Sequence, residues 1–174
     1  TIESEVFCGK ISSKAICPSG ASTGSFEAYE KRDNNKKYLG KSVFKAIYNV
    51  NKIISKKILN KEIHNQELID SILIKLDGTK HKTKLGANSI LSVSIAVKKL
   101  SAKIKNIPLY KNFYVKKNFN LPYPLMNIIN GGVHANNGLR IQEFMIRPDR
   151  AKSFSEAMRI CFIVIKNLSK LIKN

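Results

Sequence analysis

A chain of 174 residues and 19.6 kDa suits one domain, or one domain with part of another. By surface scaling it buries roughly 70% of its extended area, so its core needs no disulfide or metal staple. With 43% hydrophobic and 25% charged residues, 9 Gly and 5 Pro, it is neither collagenous nor low-complexity nor disordered, and its formal charge of +19 puts polyanionic partners among those to be tested.

Thr1 to Phe7 alternates in the strand manner, Gly9-Lys10 reads as a turn, and Ile11 to Cys17 returns as a second strand that stops before Pro18. The loop Pro18-Ser19-Gly20-Ala21-Ser22-Thr23-Gly24 follows, too polar and glycine-rich for strand or helix. From Ser42, Val43, Ile47, Val50, Ile54 and Ile58 recur at helical spacing. A second helix is predicted from Asn65 through Leu76, ended by Asp77-Gly78, and a third from Ala87 to Ile104, whose small residues permit close packing. Lys111 to Asn120 is polar and Asn/Lys-rich, the best linker candidate. Beyond it come a strand over Leu125 to Ile129, the loop Asn130 to Gly138, and a strand Glu143 to Ile146 whose Phe144, Met145 and Ile146 read as buried. Ser153 and Glu156 have capping-box spacing at the head of a last helix. Apolar faces on Leu125 to Ile129 and on that helix predict aggregation of the last segment in isolation.

The charge divides into 26 Lys and only 5 Arg, whereas base and phosphate recognition draws on the rigid Arg fork. Scattered among 23 Ile and 17 Asn, the lysines read as a chain-wide drift in usage, which makes nucleic acid a less favoured partner. Cys8, Cys17 and Cys161 form no zinc spacing, and their odd number points to a reducing, cytoplasmic compartment. Cys8 and Cys17 face one another in one arrangement of the hairpin; burial as small hydrophobes is the favoured role for each. No run approaches 18 apolar residues, so no membrane span is predicted. Opening within a strand and without Met, the chain reads as an incomplete one.

Three places carry candidate chemistry. Ser19 to Gly24 offers hydroxyls and backbone N–H groups, the inventory for cradling an anion or ligating Mg²⁺; no Gly-Lys-Ser/Thr follows, so it is not a P-loop, and an ordinary connection fits as well. Asn130-Gly131-Gly132-Val133-His134 follows an apolar strand and presents a histidine able to bind phosphate or move a proton near neutrality. Gln142-Glu143 places a carboxylate at a strand start, where it can serve as acid or base, or simply pair with a lysine.

Pro18 to Gly24 with Glu27-Ala28 and Arg32-Asp33 resembles the mobile catalytic loop region of the enolases. Leu76-Asp77-Gly78-Thr79 with Lys84 to Asn88, then Pro108-Leu109-Tyr110, then Met126 to Gly132 with His134-Ala135 and Gln142 to Ile146 are similar to the same family in the same order. The resemblance implies an α+β architecture, with an enolase-like N-terminal domain of β-hairpin and helical hairpin over residues 1–110. A linker over 111–121 and the first elements of a modified α/β TIM-type barrel over 122–174 would follow. It further implies a Mg²⁺-dependent lyase that dehydrates 2-phosphoglycerate to phosphoenolpyruvate and dimerises when complete. On that resemblance Gly20 and Ala21 touch substrate and Ser22 ligates a second Mg²⁺ as the loop closes. His134 sits by the substrate phosphate and leaving group, and Gln142 and Glu143 line the pocket. The primary Mg²⁺ carboxylates, the lysine base and the principal acid are not among these residues, so the 174 residues alone are expected to be inactive. Asn136 and Arg140 stand where the resemblance leads one to expect aspartates, and Cys161 and Ile163 where it leads to glycine and glutamate. A non-catalytic basic protein that binds RNA or an acidic partner, and a truncated product without function, are the alternatives.

Overall fold

A computed structural model describes residues 1–20, 24–114 and 118–173. They belong to two compact units, Thr1–Lys116 and Lys117–Asn174.

The first unit opens with β1 (Ile2–Cys8) and β2 (Ile11–Cys17), an antiparallel hairpin in which Ile2 lies opposite Cys17 and Cys8 opposite Ile11. Gly9 turns the chain at φ +57°, a value that glycine adopts without a Cβ clash. This register corrects one expectation. Cys8 and Cys17 lie at opposite ends of the ladder, Cys8 is exposed and Cys17 half-buried, and only Cys161 is buried. Glu3 and Glu5 share the outer face, where Lys14 reaches both at 3.7 and 3.6 Å.

The predicted first helix is composite: α1 (Phe44–Tyr48), a π-helical stretch Asn49–Ile54, and α2 (Ser55–Ile58). The wider turn is accompanied by a tie that hydrophobic spacing does not reveal, because buried Asn49 donates its amide to the Leu85 carbonyl at 2.8 Å. Helix α3 (Gln66–Asp77) begins where Asn65 accepts the Leu68 N–H and ends at Gly78, which takes the left-handed φ of +70°. Helix α4 (Ala87–Ile104) lies on the hairpin. Its small residues do what their size suggests: Ser92 meets Ser4 hydroxyl to hydroxyl at 2.7 Å, both buried, while Ser89 bonds back to the Leu85 carbonyl. Ile54, Ile69, Leu73, Leu85, Ile90, Val93 and Val97 form the core between the helices. Lys99 and Lys103, at the later end of α4, lay their stems along the hairpin and reach the carbonyls of Lys14 and Ser12. The proposed linker begins inside structure, since α5 (Leu109–Phe113) occupies its first residues.

The second unit holds β3 (Met126–Asn130) and β4 (Glu143–Ile146), paired antiparallel with a bulge that skips Ile128. Helix α6 (Phe154–Lys173) follows, its first turn fixed by Ser153, which accepts the Glu156 N–H at 3.1 Å. Glu156 reaches back one residue further than a capping box requires, accepting the Lys152 N–H at 2.8 Å. Phe144 and Met145, read as buried, are 40% and 49% exposed. Among the described residues β3 and β4 form a two-stranded sheet, which offers too few neighbours to cover them. Within α6 only Ala157 and Cys161 are buried. No helix among the described residues is long and apolar enough to cross a membrane.

Candidate functional site

The glycine-rich loop is anchored through the segment that follows it. Tyr29 donates its N–H to the His81 carbonyl at 2.7 Å and accepts the Ala87 N–H at 2.8 Å. Buried Asn88 then clamps Lys31, two residues on, at both ends, accepting the Lys31 N–H at 3.0 Å and donating to the Lys31 carbonyl at 3.1 Å. Gly86 makes that approach feasible: a Cβ there would lie 2.3 Å from Lys31 Cβ, and its φ is +93°. Asn88→Ala is therefore expected to strand two backbone groups and cost about 2 kcal/mol, checked by urea unfolding against the parent chain.

Closer to the loop, Arg32 pairs with Glu30 at 2.7 Å and donates to the Ser19 hydroxyl, which itself donates to Glu30 at 2.8 Å. The Ser19 hydroxyl, one of those the loop offers, is thus engaged in a triad with Arg32 and Glu30. Asp33, buried, accepts the N–H groups of Phe44 and Lys45 at 2.9 and 2.8 Å and so caps α1. Burial would raise its carboxyl. The Ser42 hydroxyl, those two N–H groups and the Lys45 ammonium outweigh burial and hold it below the ordinary 3.8. Gly20 is exposed at the edge of the loop; Ala21 and Ser22 lie outside the described residues.

In the second unit the loop between β3 and β4 folds back on itself. Gly131 donates to the Gln142 carbonyl at 2.8 Å and Gly132 to the Leu139 carbonyl at 2.7 Å. Residues Gly132–His134 make one 3₁₀ turn, tied by the His134 N–H to the Gly131 carbonyl. Two stretches eight residues apart thereby meet: His134 Nε2 lies 2.5 Å from Gln142 Nε2, and Glu143, half-buried, follows directly as the first residue of β4. An imidazole nitrogen and an amide nitrogen at that distance need one donor and one acceptor, so with the amide donating, a neutral His134 accepts at Nε2. Asn136 and Arg140 are exposed, and Arg140 has no ion pair among the described residues.

A hard dication calls for clustered oxygen donors, usually with carboxylates among them. Among the described residues no three His, Cys, Asp or Glu side chains come together in that way, so these residues do not make a Mg²⁺ site by themselves.

The family model "Enolase, N-terminal domain" matches residues 1–113, and "Enolase, C-terminal TIM barrel domain" matches residues 118–174. The chain belongs to the enolase family. Among curated relatives it is 72% identical to the enolase of Pelagibacter ubique over 173 residues, and 50% and 49% identical to the enolases of Methanococcus vannielii and a strain of Methanococcus maripaludis. Each alignment covers 99% of this chain and 41% of the relative, so the chain spans less than half the length of these enolases. The α+β hairpin and helices of the first unit, followed by strand, strand and helix in the second, accord with that family. Arg32-Asp33, Asp77 and Asn88 are legible as family motifs, but their structural work requires the partners 8 to 57 residues away that the fold supplies.

Proposed function

We propose that these residues form part of an enzyme that reversibly dehydrates 2-phosphoglycerate to phosphoenolpyruvate. The observation that carries this reading is the match of both enolase domains, in order, across almost the whole chain. The folding of His134 onto Gln142 beside Glu143 supports it locally.

The reaction takes a proton from C2 and hydroxide from C3, leaving a double bond and a molecule of water. In this reading His134 stands by the phosphate and the departing hydroxyl as a hydrogen-bonding group. Gln142 fixes the ring, and Glu143 supports proton transfer at C3. Gly20 and Ala21 touch substrate in this reading, and closure of the site over the substrate excludes water. Mg²⁺ belongs to the complete enzyme, with Ser22 as one ligand; the described residues by themselves fall short of holding it. The domain division is proposed at residues 1–110, a linker over 111–121, and the barrel portion over 122–174. A cytoplasmic homodimer is the proposed state of the complete enzyme.

The test compares two polypeptides in a coupled assay for phosphoenolpyruvate. The 174 residues alone should show no turnover, and a chain extended to the length of the relatives should show Mg²⁺-dependent turnover. In the extended chain His134→Ala should lower kcat by about 10²–10⁴. Turnover by the 174 residues would remove the claim that they need the rest, and silence of the extended chain would remove the proposed reaction.

A further inference from the structure

Positive charge is not spread evenly over this molecule. Between residues 34 and 61 there are eight lysines and no aspartate or glutamate. All eight are exposed, and among the described residues none comes within ion-pair distance of a carboxylate, although Lys45 donates to the Asp33 carbonyl at 3.2 Å and its charge acts on the Asp33 carboxyl. The nearest acid on the N-terminal side, Asp33, is already spent on capping α1. Residues 78–142 also lack acids, so what marks this face is not the missing carboxylates but the alignment of its lysines with exposed rings along one side of three consecutive helical stretches.

Aromatic rings interrupt the same face. Phe44, Tyr48, Lys52 and Lys56 recur every four residues, and Lys45 stands seven and eleven residues before the last two, so the five line one side of the composite helix. The π-helical stretch alters this little, because its wider turn drifts the opposite way from an α-helix over four residues. Phe44 is 56% and Tyr48 60% exposed, too open for core residues. The opposite side of the helix carries Ala46, Val50, Ile54 and Ile58, of which Ala46 and Ile54 are fully buried, so the rings are not needed for packing.

We propose that this face binds single-stranded nucleic acid, with Tyr48 and Phe44 as stacking platforms and Lys45, Lys52 and Lys56 along the phosphates. Lysine is a point charge without the fork that reads base edges, and stacking accepts any base, so recognition is indifferent to sequence. A duplex keeps its bases paired and offers the rings nothing; an anionic bilayer offers charge without the flat partners the rings require. The proposal is independent of the proposed dehydration and uses none of its residues.

The 174-residue chain is titrated into a labelled oligonucleotide of about 12 thymidines over a range of salt concentrations, with the duplex and phosphatidylglycerol vesicles as comparison probes. Binding to the single strand should be tighter than to either. Tyr48→Ala should weaken it by about five- to a hundredfold with the salt slope unchanged. Changing Lys45, Lys52 and Lys56 together to Gln should weaken it and reduce the slope of log affinity against log salt by about 2, at roughly 0.7 per lost phosphate contact. The same change at exposed Lys75, Lys80 and Lys84 should do less, and circular dichroism of every variant should match the parent. Equal loss from both lysine sets, no loss with Tyr48→Ala, equal or tighter binding of duplex or vesicles, or no binding at low salt would each overturn the proposal.

Discussion

Asp77→Ala should destabilise the first unit by about 3–5 kcal/mol, a large share of the 5–15 kcal/mol that keeps a domain of this kind folded. The residue is 2% exposed and its carboxylate accepts three hydrogen bonds from two residues. It takes the Leu85 N–H at 2.7 Å on one oxygen, and the Thr79 N–H at 3.0 Å together with the Thr79 hydroxyl on the other. Alanine would leave these donors buried without an acceptor. Leu85, fully buried in the core, would lose the tie that directs it inward, and the loop of residues 78–86 that supports Tyr29 would loosen with it. Urea unfolding followed by circular dichroism gives the number; a loss under about 1 kcal/mol would show that the loop holds its shape without the carboxylate.

The same residue predicts how stability depends on pH. Burial alone would raise the Asp77 carboxyl, but the Thr79 hydroxyl, the Leu85 and Thr79 N–H groups and the Lys82 ammonium outweigh it and depress the folded value below the ordinary 3.8. A depressed carboxyl favours the folded state in full above the unfolded value and loses that contribution as pH falls toward and through the folded one. Stability should therefore fall with acid below about pH 4. Asp77→Asn should flatten that fall in part, because Asp33 is depressed in the same direction and remains.

Much of the first unit follows from local rules that one sequence displays. Alternation gives the hairpin, spacing of three and four gives α3 and α4, Asn65 is placed to cap, and Gly78 is placed to stop. What stayed hidden depends on partners far along the chain. No periodicity announces that Asn49 will bond to Leu85, or that Asn88 will clamp Lys31, since an amide side chain reads as polar surface until its acceptor is known. Cys8 and Cys17 were misjudged for a related reason: seven residues per strand with a tight turn puts residues equidistant from the turn opposite each other, and these two are not. Phe144 and Met145 read as buried because hydrophobicity marks what a strand would cover given neighbours, and two strands among the described residues supply too few. At the site, His134 and Glu143 were legible as chemistry; the closure that brings His134 to Gln142 was not, because it rests on space at Gly131.

Gly131→Ala should disrupt that closure more than any other single methyl in the second unit. The glycine has φ −149°, a value open to every residue, so conformational freedom is not the reason for it. Space is: a Cβ would lie 2.3 Å from the Ile141 carbonyl oxygen and 2.7 Å from Leu139 Cβ. The first of these is backbone and cannot swing aside, so the 139–142 stretch must move, and with it the Gln142 carbonyl that Gly131 holds at 2.8 Å. A shift of about 1 Å at a reacting centre can cost a hundredfold in rate, so in the extended polypeptide kcat/KM should drop at least about 100-fold. In the 174-residue chain the ¹⁵N resonances of the His134 ring should move toward those of a free imidazole as its contact with Gln142 is lost. Gly138→Ala is the control. Its φ of +75° imposes about 1 kcal/mol of strain, but nothing lies within 4 Å of the added carbon, so the ring resonances and the rate should stay close to the parent's. If Gly131→Ala behaves like that control, the loop is not held by the approach of Gly131 to Ile141, and the pairing of His134 with Gln142 has another cause.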